Sequence, residues 1–306
     1  MIQVTNLSKS FNQNQAVKNL SFSIHQGEIF GLLGPNGAGK STIINMMSTI
    51  LPSDKGVILI DGNHIKKASD TCKTLIGVVP QEISLYDEFT AYENLLFWGE
   101  LYQIPARELK KRIETILELI GLSDRKNDLI KTYSGGMKRR INIASAILHN
   151  PKVLFMDEPT VGVDPQSRNR IFEIVESLNK QGMTIVYTTH YMEEVERLCN
   201  RIAIIDDGKI VAQGTQSELQ EVSNIKETIE ITFQTISETQ KKGLTHEFPK
   251  VKFKDSSFVI VCDVNKDLAN IISICNSQKI EIEDLKLNKV TLETIFLNLT
   301  GKQLRD

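Results

Sequence analysis

Gly34, Gly39, Lys40 and Ser41 stand in the spacing Gly-x-x-x-x-Gly-Lys-Ser within the run Gly34, Pro35, Asn36, Gly37, Ala38, Gly39, Lys40, Ser41, Thr42. Glycines so spaced let the backbone curl until successive N–H groups point inward. A helix opening at the end of the curl adds its positive pole, so the segment reads as an anion cradle. Lys40 is placed to reach the β- and γ-phosphates of a nucleoside triphosphate, and Ser41 to offer its hydroxyl to Mg²⁺. A second chemical pair is Asp157-Glu158. Asp157 suits Mg²⁺ held through water. Glu158 suits the general base for an attacking water, a role typically worth ~10²–10⁴ in rate. No Asn-Lys-x-Asp guanine-reading motif occurs, which favours ATP over GTP.

Both groups need strands to deliver them. Ile29 to Leu33 is an apolar run that reads as a buried strand feeding the loop, and Thr42 to Ile50 reads as the helix leaving it. Val153 to Met156 reads as a second buried strand that presents Asp157 and Glu158 at its C-terminal end, the functional edge of a parallel sheet. Ser134-Gly135-Gly136 opens an amphipathic helix with Met137, Ile141, Ala144 and Leu148 on one face. Ser134 suits the N-cap. The glycines expose N–H groups at a positive helix end, which fits a second phosphate site as well as a plain capped core helix.

The order of these pieces resembles the ATP-binding subunit of ATP-binding-cassette (ABC) transporters over most of residues 1–220. Gly34 to Thr42 matches the Walker A loop, Gln81 the Q-loop, Tyr133 to Arg140 (YSGGMKRR) the signature, and Val153 to Pro159 Walker B with its glutamate. Val161 to Asp164 is similar to the D-loop, His190 stands where the family has its switch histidine, and Phe11 where it stacks an aromatic ring on adenine. Tyr133, Met137 and Val163 depart from the usual leucine, glutamine and leucine. They are not the groups that touch phosphate.

The resemblance implies a mechanism. Two subunits face head to tail, with ATP between Walker A of one and the signature of the other. Ser134, Gly135 and Gly136 then serve a partner's nucleotide. Glu158 polarises the water, His190 holds the γ-phosphate, Gln81 touches Mg²⁺ and water, and Asp164 lines the seam. Dimerisation with itself or with a homologous subunit stays open. The tail Thr291 to Lys302, with VGVDP and YSGGMKRR, resembles daunorubicin-resistance-type exporter ATPases. That implies an ATP-driven motor for export through a separate membrane permease. The alternative is a soluble ABC-type ATPase in DNA repair, translation or regulation. The segment between Gln81 and Ser134 is far too short for the coiled-coil arms of chromosome-maintenance ATPases.

Composition agrees with a globular chain of 306 residues, 41% hydrophobic and 24% charged. Net charge is −2, which gives no basic surface for nucleic acid. Lys138-Arg139-Arg140 is expected to solvate the outer face of the signature helix. No apolar run reaches the ~18–20 residues of a membrane span, and no signal peptide is expected at the N-terminus. The chain is expected at the cytoplasmic face of the membrane as a peripheral subunit. Cys72, Cys199, Cys262 and Cys275 show no paired spacing and read as free thiols.

The fold class expected is α/β. Residues 1–220 form a phosphate-loop ABC ATPase core with a helical subdomain at about 82–150, and residues 221–306 a small α+β accessory or regulatory domain. Helices are predicted over Thr90 to Gln103 and Ala106 to Ile120, the second with Leu109, Ile113, Ile116 and Ile120 on one face. Asp61-Gly62 and Asp207-Gly208 mark hairpin turns. From Thr228 the order strand, helix, strand, strand, helix, strand, helix is compatible with a ferredoxin-like domain. Leu85, Tyr86 and Phe89 read equally as the lining of a groove for the permease or as subdomain core.

Overall fold

The computed structural model describes residues 1–301, so Lys302 of the tail motif lies outside the described residues. They form two compact units divided between Glu218 and Leu219. The first contains β1 (Ile2–Phe11), β2 (Asn14–Ile24), β3 (Ile29–Leu33), α1 (Lys40–Met47), β4 (Lys55–Ile60), β5 (Asn63–His64), α2 (Ser69–Leu75) and β6 (Ile76–Val79). It continues through α3 (Ala91–Leu101), α4 (Ala106–Leu119), α5 (Gly135–Ile147), β7 (Val153–Asp157), α6 (Pro165–Lys180), β8 (Thr184–Thr189) and α7 (Met192–Leu198). β9 (Arg201–Asp206) and β10 (Lys209–Gly214) complete it, and α8 (Gln216–Ser223) runs across the division.

Two sheets organise this unit, an antiparallel one in the order β2-β1-β4-β5 and a larger one in the order β10-β9-β3-β8-β7-β6. In the larger sheet β9, β3, β8, β7 and β6 run parallel and β10 is the antiparallel edge. β7 shows why these strands are continuous apolar runs. Val153 and Phe155 join one core with Ile43 of α1 and the antiparallel sheet, while Leu154 and Met156 join another with Ile141 of α5 and Ile171 of α6. Successive side chains of a strand point to opposite faces, and here both faces are covered. Full burial of each such side chain contributes about 1.5–3 kcal/mol, so the strand ends carrying the site are firmly held.

The helical subdomain follows its sequence signals. Thr90 and Glu93 make a reciprocal capping box at the start of α3. Leu109, Ile113 and Leu117 are buried on the inner side of α4, as is Ile120 just past its end, while Ile116 of the predicted face is only partly buried. Both helices end short of the predicted bounds, at Leu101 and Leu119. The helix after the loop begins two residues before Thr42 and stops at Met47, because Gly39 caps it in a left-handed conformation (φ 103°) and Thr49 turns the chain out at φ 65°.

The second unit contains β11 (Thr228–Phe233), α9 (Glu238–Glu247), β12 (Lys252–Phe253), β13 (Ser257–Val261), α10 (Val264–Ser277), β14 (Ile282–Asn288) and α11 (Leu292–Thr300). Its sheet is antiparallel in the order β12-β13-β11-β14, the βαββαβ arrangement of a ferredoxin-like fold. Ile229, Ile231, Phe233, Phe258, Ile260, Ile271 and Cys275 form its core.

Candidate functional site

The loop between β3 and α1 wraps around Lys40. The side chain is buried, and Nζ donates to the carbonyls of Gly34 (2.9 Å) and Pro35 (3.2 Å). Asn36 and Gly37 form the exposed crest, Ala38 is buried, and Ser41 and Thr42 lie half-buried in the first turn of α1. Gly39 cannot be replaced without strain. Beyond its left-handed φ, an added Cβ would stand 2.6 Å from the carbonyl oxygen of Ala16. Phe11 lies at the end of β1, 46% exposed, with the Lys9 ammonium over its ring 5.5 Å from the centroid.

Lys40 has a charged partner in its own chain. Its Nζ is 3.0 Å from Glu158 Oε1, and both side chains are nearly fully buried. His190 Nδ1 lies 3.3 Å from Glu158 Oε2, out of line for a hydrogen bond. The three side chains meet because β3, β8 and β7 are neighbours that end at one edge. Glu158 occupies a left-handed backbone conformation (φ 46°), which in a non-glycine residue costs about 1–3 kcal/mol. Its N–H is held by the carbonyl (3.2 Å) and hydroxyl (2.9 Å) oxygens of Thr188. The Thr188 hydroxyl also lies 2.6 Å from Asp157 Oδ1, to which it can donate. One threonine therefore holds both the Asp157 carboxylate and the Glu158 main chain.

The signature residues sit apart from this cluster. Among the described residues no hydrogen bond or ion pair joins Ser134, Gly135 or Gly136 to the phosphate loop. Ser134 caps α5, its hydroxyl accepting from the Met137 N–H (3.2 Å). A Cβ on Gly136 would come within 2.2 Å of Ser167 Oγ on α6, so this glycine permits close helix packing. Gly135 is exposed and has only the Gly162 carbonyl at 4.0 Å. Asp164 is exposed and caps α6 by accepting from the Ser167 N–H (2.9 Å), a bond that holds its carboxyl below the ordinary value. Tyr133 is buried because its hydroxyl finds the Arg125 carbonyl (2.5 Å), which accounts for a polar ring where leucine is usual.

The basic triplet does not form a solvated face, contrary to the sequence expectation. Arg139 is 4% exposed and donates from Nη1 to the Pro80 carbonyl (2.7 Å) and from Nη2 to the Gln81 carbonyl (2.5 Å). Burial lowers its guanidinium pKa, but from so high a start that it remains charged at neutral pH. Arg140 donates to the Ile120 carbonyl (2.8 Å), and Lys138 pairs with Asp87 (2.7 Å). The Gln81 side chain is exposed. Glu194 also escaped sequence reasoning. It is buried in α7, with the hydroxyls of Thr160 (2.6 Å) and Tyr187 (3.0 Å) on its two oxygens. It thus ties the turn after Glu158 to the strand before His190. Its place four residues past His190, at the start of a helix, was the available signal.

A buried lysine in a glycine loop, a strand-end carboxylate pair and a neighbouring histidine define a phosphate-loop nucleotide site. The sequence pattern of the ABC transporter family matches residues 17–161. The chain is 45% identical to the linearmycin resistance ATP-binding protein LnrL of Bacillus subtilis (strain 168), over 100% of both chains. It is 34% identical to the daunorubicin/doxorubicin resistance ATP-binding protein DrrA of Streptomyces peucetius, over 100% of this chain and 94% of that one. Among solved structures it is similar to the ATP-binding cassette MJ0796 in a dimeric, post-hydrolysis state bound to ADP and Pi. That match has a TM-score of 0.64 and 28% identity, covering 70% of this chain and 98% of that one. The chain belongs to the ABC transporter family as an ATP-binding subunit. It is an ATPase, of the daunorubicin-resistance-type exporter group.

Proposed function

We infer that ATP binds with its phosphates on the Gly34–Thr42 loop of one chain and is closed over by Ser134, Gly135 and Gly136 of a second. The observation that carries this reading is the separation of the two motifs. Lys40, Glu158 and His190 form one buried cluster, while the signature presents an open Gly135 elsewhere. Lys40 can exchange the Glu158 carboxylate for a phosphate, which leaves Glu158 free to accept a proton from water. His190 then contacts the γ-phosphate, Phe11 stacks on adenine, and Asp164 lies at the seam. The donor set fits Mg²⁺, a hard cation that prefers oxygen. The Ser41 hydroxyl, the Gln81 amide and Asp157 would hold it; Thr188 engages one Asp157 oxygen, and among the described residues no hydrogen bond engages the other. When bound, the ion neutralises charge on the phosphates.

The chain is the ATP-hydrolysing motor of an ABC transporter. We propose that its partner is a separate membrane permease and that it works at the cytoplasmic face of the membrane in export. No helix among the described residues is long and apolar enough to cross a membrane. The resistance roles in the names of its relatives LnrL and DrrA support export. Leu85 packs into the core, but Tyr86 (48% exposed) and Phe89 (40%) cluster with the ring of Phe97 at the surface. That aromatic patch after Gln81 suits a permease segment. We further propose that residues 221–306 stabilise the dimer or regulate turnover.

Co-purification tests both points. The full chain is expected to retain a multi-helix membrane protein that a Tyr86→Ala/Phe89→Ala variant loses. A chain lacking residues 222–306 is expected to dimerise less or to change in ATPase rate. Undiminished retention by the aromatic variant would move the docking patch elsewhere. Unchanged dimerisation and ATPase in the truncated chain would remove the proposed role of its C-terminal unit.

A further inference from the structure

The backbone that carries Gln81 is strapped along α5. β6 ends at Val79, and residues 80–89 form no helix or strand. Arg139 donates to the carbonyls of Pro80 and Gln81, the Asn142 side chain accepts from the Ser84 N–H (3.4 Å), and Lys138 pairs with Asp87. All three holding residues lie on the helix that Ser134 caps. The Arg139 contact is the unusual one. A nearly fully buried guanidinium is ordinarily matched by a carboxylate. Here, among the described residues, it forms no ion pair, its Nε has no partner, and two consecutive main-chain carbonyls take its fork. Carbonyl dipoles offset the desolvation of a full charge less completely than a carboxylate does. A residue chosen for stability alone would not need the charge. A planar fork reaching two adjacent carbonyls does fix the position of a loop backbone.

We propose that Arg139 is a positioning residue that locks the Gln81 backbone to the signature helix, so that the loop and the helix move as one body. The inference rests on the reading above, in which Gln81 serves the nucleotide of its own chain and α5 that of a partner. With the lock in place, closure of α5 on a partner's ATP carries Gln81 with it. Displacement of the loop at the aromatic patch carries the signature in turn.

The test is steady-state ATPase of the full chain, with ATP affinity from a fluorescent analogue and thermal melting alongside. Arg139→Met keeps the length and apolar stem without the fork. It is expected to lower kcat about tenfold or more, the scale on which small misplacements of reacting groups act, while KM and ATP affinity stay within about twofold. Arg139→Lys keeps the charge but cannot span both carbonyls, and it is expected to be intermediate in kcat with native KM. Native kcat in a folded Arg139→Met chain would overturn the inference. So would kcat, affinity and melting temperature falling in parallel, since that marks a structural role only. If Arg139→Met does not fold, Arg139→Lys decides: kcat reduced severalfold at native KM supports the lock, and native kcat contradicts it. Native kcat in Arg139→Met beside an inactive Glu158→Gln removes this inference alone. Retained hydrolysis in Glu158→Gln removes the site reading beneath it.

Discussion

Glu158→Gln is expected to bind ATP with at least native affinity and to hydrolyse it at least ~10²-fold more slowly, a loss of about 2.7 kcal/mol in transition-state stabilisation. The substitution is nearly isosteric. It preserves the left-handed turn, because that turn is held through the Glu158 main-chain N–H by Thr188 and not through the side chain. What disappears is a carboxylate able to take a proton. Affinity is spared for a reason visible in the site: the same carboxylate stands 3.0 Å from Lys40. Neutralising it removes a competitor for the ammonium group that phosphate needs. Bound ATP that is not turned over should hold the dimer closed, so the variant should accumulate as an ATP-loaded dimer by light scattering. Near-native turnover would remove Glu158 as the base.

Lys40→Ala is expected to lose most ATP affinity, about 10²-fold or more, the usual consequence of deleting one member of a buried, hydrogen-bonded charge pair. It should also destabilise the fold. Glu158 remains buried without its cation, and breaking such a pair typically costs about 3–5 kcal/mol. The two losses are separable. Adding Glu158→Gln to Lys40→Ala removes the stranded charge, so melting temperature should recover while ATP affinity does not. Calorimetric titration and thermal melting of the two variants check this. Recovery of affinity in the double variant would mean that Lys40 acts on folding and not on phosphate.

Much of this site is local in sequence and was legible there. The glycine spacing at 34–39, the apolar run into Asp157, and a serine before two glycines each specify their own backbone. The βαββαβ order of the second unit is also written in short alternating segments, and the strand pairing follows it. The features that escaped depend on partners remote in the chain. Lys138-Arg139-Arg140 reads as a solvated run because the carbonyls that receive Arg139, at Pro80 and Gln81, belong to a loop 59 and 58 residues earlier in the chain. Thr188 matters because it lies opposite Asp157 in the β7–β8 register, and no periodicity predicts a register. Gly135 and Gly136 look equivalent as letters, yet one faces open space and the other the Ser167 side chain. Strand order is likewise non-local. β8 lies between β3 and β7, and that insertion brings His190 to the carboxylate.

The central claim is that each ATP site is shared between two chains, and mixing two dead variants tests it most directly. Lys40→Ala disables the phosphate loop and spares the signature. Gly135→Asp places a negative charge where the signature meets a partner's nucleotide. The position is open, and an acidic residue is favourable at a helix N-terminus, so this fold should be intact. Each variant alone should be inactive. In an equimolar mixture about half the dimers are mixed and each has one complete site, so about a quarter of native ATPase activity is expected to return. A mixture as inactive as its components, with mixed dimers present, would contradict the shared site.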